Sequence, residues 1–150
     1  MVCLGNICRS PMAQGVMQQL ALDNDMPWIM VDSCGFESYH LGDAPDRRAV
    51  ITCKKHQIDI SEQRQRLFKV SDFDIFDHIY VMDNNNYRDV QRIARNADDM
   101  KKVDYLLNLV YPGSNKAVPD PYYGSESDFE EAFLLIEKAC NEVCKESYEL

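Results

Sequence analysis

The first ten residues, MVCLGNICRS, constrain this chain more than any other stretch. Cys3 and Arg9 are separated by five residues, Ser10-Pro11 follows, and a helical pattern begins. The run therefore reads as a strand end, a tight loop and a helix start. A helix start offers unpaired backbone N–H groups and the positive end of the aligned peptide dipoles. Gly5 can take a positive φ without strain, and Asn6 is among the few other residues that tolerate one. The N–H groups of Leu4, Gly5, Asn6, Ile7, Cys8 and Arg9 can then turn inward and ring a phosphate-sized anion. Arg9 adds a planar fork for two of its oxygens. The same positive field favours thiolate over thiol, which sets a nucleophile, Cys3, at the floor of an anion site. As a bare Cys-five-Arg match, the pair reads more simply as a small buried residue and a surface charge.

A chain of 150 residues suits one domain, residues 1–150, with a proper core. Its formal net charge of −9 argues against a nucleic-acid or anionic-membrane binder, so a phosphate site must be made locally. No apolar run reaches membrane-spanning length and the start lacks a signal-peptide pattern, so a cytoplasmic protein is expected. The six cysteines, at 3, 8, 34, 53, 140 and 144, include no C-x-x-C pair and no zinc-ligand spacing. Reduced thiols are the simpler expectation, with no metal and no cofactor.

Along the chain, residues 1–3 end a first strand and Pro11 suits the first turn of a helix. Met12, Ala13, Val16, Met17, Leu20 and Ala21 then mark one buried helical face. Residues 28–34 read as a second strand, 35–43 as a loop, and 44–57 as a helix. Ser71 is expected to cap a short helix. Residues 78–82 are a continuous apolar run of buried-strand length. Residues 83–94 are helical and 103–107 form a fourth strand. Residues 111–123 make a long Pro/Gly/Asn-bearing loop of the kind that carries function. Ser127 with Glu130 is expected to box the start of the last helix. Strands alternating with helices predict an α/β fold, a parallel sheet covered on both faces in three layers.

The string C-L-G-N-I-C-R-S-P at residues 3–11 resembles the signature loop of the low-molecular-weight protein tyrosine phosphatases. A second motif of that family, Asp-Pro-Tyr-Tyr, stands at residues 120–123, and the resemblance covers essentially the whole chain. It implies a four-stranded sheet of order 2-1-3-4, with the phosphate loop after the central first strand. It implies hydrolysis of phosphotyrosine in proteins: Cys3 attacks phosphorus, Arg9 clamps the phosphoryl oxygens, and Asp120 serves as general acid and then base. Pro119 and Pro121 stiffen the backbone that aims Asp120. Asn6 resembles the family's loop brace and Ser33 its partner, and Ser10 is placed to hydrogen-bond the thiolate or simply to cap the helix. Tyr39 and Tyr122 fall where the family has the two aromatic walls of the cleft. Asp83 matches a family aspartate and reads as structural. The implied partners are phosphotyrosine-bearing proteins, with inorganic phosphate or another oxyanion in the loop.

The chain departs from the family pattern at Gln63, which replaces a histidine behind the phosphate loop and leaves that brace in doubt. It departs again at the first strand. Only Met1 and Val2 precede Cys3, where relatives carry several apolar residues, so a strand shorter than 78–82 is expected. A start site called too late is the favoured explanation. Arsenate reductase is discounted, because residues 79–100 hold no cysteine for its redox relay. Two readings compete with a tyrosine phosphatase. A protein arginine phosphatase looks similar but typically carries Thr where this loop has Ile7. A non-catalytic phosphate-binding module needs neither thiol nor acid.

Overall fold

The apolar run at 78–82 forms β1 (Ile79–Val81), which pairs in parallel with β2 (Val103–Tyr105) from Ile79 opposite Val103 to Val81 opposite Tyr105. Successive strand side chains point to opposite faces. Ile79, Val81, Val103 and Tyr105 accordingly join one apolar cluster, while Tyr80, Met82 and Leu106 join another. The computed structural model describes residues 1–148. In chain order its helices are α1 (Arg9–Asp23), α2 (Arg47–Lys55), α3 (Asp72–Ile75), α4 (Asn84–Ile93), α5 (Ala97–Lys101) and α6 (Glu126–Tyr148). Helix α6 lays Phe129, Phe133, Ile136 and Cys140 against Met12, Ala13 and Val16 of α1, all almost fully buried. Side chains buried to this degree contribute on the order of 1.5–3 kcal/mol each for the larger ones. Phe73 of α3 and Val90 of α4 pack on the opposite cluster. The molecule is α/β with a parallel sheet, and apolar side chains cover both sheet faces.

Regular strands number two among the described residues, not four. Val2 is a single-residue parallel bridge to both Cys34 and Val81, and Cys3 follows at the mouth of the loop. Residues 28–33 run beside it without a ladder. The N–H groups of Met30, Val31 and Asp32 donate to no backbone carbonyl among the described residues. A cavity of about 680 Å³ fills the gap, lined in part by Met1, Trp28, Met30, Phe76, Ile79 and Tyr80. Trp28 and Met30 are 65% and 85% exposed beside it. The Met1 ammonium donates to the Asp32 carbonyl at 3.0 Å, and burial pushes its pKa down.

Four apolar residues placed ahead of Met1 are expected to fill this gap as a strand. About two of them face a core, at ~1.5–3 kcal/mol each. With ~2–4 °C per kcal/mol for a chain of this size, the melting temperature should rise by several degrees. Thermal melting of the chain with and without the added residues checks this, and a prefix of four serines should give no such rise.

Other boundaries moved for local reasons. Helix α2 starts at Arg47, three residues later than the sequence suggests, because the Asp46 carboxylate accepts the Arg48 N–H at 2.8 Å and caps it there. Ser71 makes no capping bond; the nearby Asp72 carboxylate instead accepts the Lys69 N–H at 2.8 Å. At α6 the Asp128 carboxylate, and not Glu130, reaches back to the residues before the helix, and it meets Ser125 and not Ser127. The Ser125 N–H donates to Asp128 Oδ2 at 2.7 Å, whereas Glu130 turns to His56. Helix α5 was not legible as an element, although Asn96 caps it by accepting the Asp99 N–H at 3.0 Å. The fourth strand stops at Tyr105, where the chain tightens into a 3-10 turn, Leu106–Leu109.

Candidate active site

The loop between Val2 and α1 closes around a sulfur. Asn6 donates its backbone N–H to Cys3 Sγ at 3.2 Å, and Ser10 Oγ lies 3.1 Å from the same atom. Asn6, not Gly5, is the residue with positive φ, at +54°. The reason is its side chain: Asn6 Nδ2 donates to Ser10 Oγ at 2.8 Å and to Ser33 Oγ at 2.9 Å, while Oδ1 accepts the Arg66 N–H at 3.1 Å. A buried carboxamide satisfied on both ends holds the left-handed turn that a glycine would leave loose. Ser33 is braced in turn, donating to Gln14 Oε1 at 2.6 Å. Ser10 lies inside α1 with its hydroxyl on the sulfur, so it does not cap the helix; Cys8 is the residue before α1, and it makes no side-chain cap. The N–H groups of Leu4, Gly5, Ile7, Cys8 and Arg9 make no hydrogen bond among the described residues. Six N–H groups thus line one short loop, five of them unspent.

Arg9 is 3% exposed, and its guanidinium is steered from two sides. Nη1 donates to Asp83 Oδ2 at 2.7 Å and to the Val118 carbonyl at 2.9 Å. Asp83 also caps α4 through the Asn86 N–H at 2.9 Å, so a rigid helix start fixes the carboxylate that aims Arg9. Val118 is fully buried, and its N–H donates to the Met82 carbonyl at 2.8 Å. That bond moors the long loop to the end of β1. Two residues later Asp120, 47% exposed, reaches within 3.6 Å of Arg9 Nη2. Its other oxygen accepts the Tyr122 N–H at 3.1 Å. Tyr39 stands exposed on the 3-10 turn Ser38–His40. The Glu37 side chain beside it pushes its phenol up to about 12. Burial, reinforced by Asp46, pushes the Cys8 thiol up as well, which leaves Cys8 protonated and poorly nucleophilic at neutral pH.

The family model described as "Low molecular weight phosphotyrosine protein phosphatase" matches residues 1–149. The chain belongs to that family. The low molecular weight phosphotyrosine protein phosphatase of Gallus gallus is 38% identical over 141 residues, covering 93% of this chain and 88% of the relative. The crystal structure of an Entamoeba histolytica protein tyrosine phosphatase superposes with a TM-score of 0.90 at 33% identity, over 99% of this chain and 94% of that one. The structure of a Drosophila arginine phosphatase superposes at 0.89 with 28% identity, over 99% and 96%.

Against the family pattern, Gln63 does not stand behind the phosphate loop. Its Nε2 donates to the Pro11 carbonyl in the first turn of α1 at 3.1 Å, and its Oε1 is buried without a partner. The Arg66 N–H braces Asn6 instead. Sequence reasoning missed Gly35, whose role comes only from close approach. A Cβ there would lie 2.7 Å from the Leu4 carbonyl oxygen and 2.9 Å from the Asn6 nitrogen. It also missed Val118, since one apolar residue in a polar loop is a weak signal. Asp83 was noticed, but its hold on Arg9 was not. Among the described residues no group of three or more His, Cys, Asp or Glu is arranged to hold a metal ion, and no helix is long and apolar enough to cross a membrane.

Proposed function

We propose that this chain hydrolyses phosphotyrosine in proteins through a phosphocysteine intermediate. The observation that carries the reading is the convergence of Cys3, Arg9 and Asp120 on one cleft from two distant loops. Cys3 Sγ attacks phosphorus, an S–P bond forms, and the P–O bond to the tyrosine breaks. Asp120 gives its proton to the leaving phenolate oxygen. It then takes a proton from the water that attacks phosphocysteine, which releases phosphate and returns the thiolate. The loop N–H groups and Arg9 meet charge on the equatorial oxygens. Ser10 and the Asn6 N–H stabilise the sulfur, and Asn6 with Ser33 keeps the loop in shape. Tyr39 and Tyr122 flank the substrate ring. No step draws on a metal or cofactor.

The same reading places residues 1–3 and 28–34 as the other strands of a 2-1-3-4 sheet in a single domain, supported by the parallel bridges of Val2 to Cys34 and Val81. Six free cysteines suit a reducing compartment, and we place the protein in the cytoplasm. Inorganic phosphate or another oxyanion is the second occupant of the loop. The net charge of −9 speaks against nucleic acid as a partner.

The likeness to an arginine phosphatase keeps phosphoarginine as the second reading. Ile7 opposes it: an apolar side chain at that loop position offers a phosphoguanidine no hydrogen bond, whereas a phenyl ring needs none. Assays without metal on phosphotyrosine, phosphoserine and phosphoarginine peptides decide. Phosphotyrosine should be cleaved at least a hundredfold faster in kcat/KM than either other, a margin of about 2.7 kcal/mol in transition-state binding. Comparable kcat/KM on phosphoarginine would overturn the assignment. Tight phosphate binding with no turnover of any of the three would favour a binding module.

A further inference from the structure

Arg48 lies outside the motifs that carry the chemistry, yet it touches both loops of the site. It sits in the first turn of α2, and its guanidinium grips Asp46 with Nε to Oδ1 at 3.1 Å and Nη2 to Oδ2 at 3.0 Å. Burial opposes ionisation of Asp46, but the Arg48 side chain and N–H hold its carboxyl below the usual range. The Asp46 N–H donates to the Ile7 carbonyl at 2.7 Å, so this pair is fastened to the back of the phosphate loop. On its other side Arg48 lies over aromatic rings. Its guanidinium carbon is 4.7 Å from the centroid of Phe129, in the first turn of α6, and 5.5 Å from that of Tyr122. Nη1 also reaches the Gly124 carbonyl at 3.5 Å. A short path thus runs from Ile7 through Asp46 and Arg48 to the loop bearing Tyr122 and Asp120.

We propose that Arg48 is a specificity-determining positioning residue: it holds the Tyr122 ring at a set distance across from the phosphate loop and so fixes the slot for a substrate ring. The inference rests on the phosphatase reading and deepens it. Arg48 spends Nε and Nη2 on Asp46 and turns Nη1 to the Gly124 carbonyl, so its guanidinium faces Asp46 and the second loop, and no contact of Arg48 with Cys3 or Arg9 enters the grip on phosphate. Its planar face is what Tyr122 meets, and a Lys ammonium cannot stack and fork at once. Losing it leaves Tyr122 free to swing out, which weakens binding of the ring while the phosphoryl group is held as before.

The test measures KM and kcat on a phosphotyrosine peptide, and inhibition by inorganic phosphate, for wild type, Arg48→Gln and Arg48→Lys. For Arg48→Gln, KM should rise about five- to twentyfold, the range spanned by a lost cation–π contact. kcat and the inhibition constant of inorganic phosphate should each stay within about twofold. Arg48→Lys, which keeps the charge beside Asp46, should shift KM in the same direction. In a Tyr122→Ala background, Arg48→Gln should change KM by less than about twofold, because the partner is already gone. An unchanged KM in both variants overturns the proposal. So do additive effects of the two substitutions, or a loss of phosphate inhibition parallel to the loss in KM, which marks a merely structural role. Binding of benzylphosphonate against phosphate by calorimetry reads the same ratio without turnover. A wild-type chain that is inactive, yet binds the arylphosphonate more tightly than Arg48→Gln does, counts against the phosphatase reading and leaves the slot in place.

Discussion

Replacing Cys3 by Ser is expected to lower turnover of phosphotyrosine peptides by roughly 10⁵–10⁶, the scale on which losing a covalent nucleophile costs kcat. A hydroxyl in that position is not ionised near neutral pH, so it cannot form the covalent intermediate. The anion site itself should survive. The free N–H groups of Leu4, Gly5, Ile7, Cys8 and Arg9 belong to the backbone, and Arg9 is held by Asp83 and Val118 without help from the sulfur. Phosphate should therefore bind Cys3→Ser within about tenfold of wild type. Calorimetry with phosphate and a single-turnover assay on the same preparation check both halves. Wild-type turnover by Cys3→Ser would refute covalent catalysis. Loss of phosphate binding would show that the thiol, not the backbone, holds the loop open.

Asp120→Ala is the second large effect, about 10²–10⁴ in kcat on phosphotyrosine, the range for a missing general acid. The tyrosine phenol has a pKa near 10, so its phenolate leaves poorly without a proton. p-Nitrophenolate leaves readily without one, and the loss on p-nitrophenyl phosphate should be at least tenfold smaller. The contrast between the two substrates identifies the role, because a misfolded loop would depress both alike. The Asp120 carboxylate meets Arg9 at 3.6 Å and accepts the Tyr122 N–H at 3.1 Å, while the bond from the Val118 N–H to the Met82 carbonyl moors the loop independently of the side chain at 120. Equal losses on both substrates would remove Asp120 from the proton transfer.

Residue types and local order by themselves determined the α/β class, the helical faces of α1 and α6, and the pairing of an anion loop with a nucleophile. Those follow from short-range physics: side-chain periodicity, helix-start chemistry and the charge of Arg9. Residues 78–82 were legible as a strand because an uninterrupted apolar run needs burial on both faces. Residues 28–34 looked equally strand-like, and the structure pairs only Cys34 of that run, through its bridge to Val2. A strand exists only with a partner, and partnership is a tertiary fact.

The same distinction runs through the site. The choice of Asn6 over Gly5 for the left-handed turn was decided by two groups far away in sequence, Ser33 and the Arg66 N–H, together with Ser10 one turn on. The spacing of Cys3 and Arg9 alone reads as a buried residue and a surface charge, and the clamp role expected of Arg9 came from the longer string around it; its aim depends on Asp83 at the start of α4 and on the Val118 carbonyl, which only the fold brings together. Gln63, standing where relatives often carry a histidine, left the brace behind the loop in doubt, and the fold turns its carboxamide to the Pro11 carbonyl in the first turn of α1. What the sequence could state was which groups are able to do the chemistry; their distances depend on long-range packing of α1, α4 and the moored loop, which no local pattern encodes.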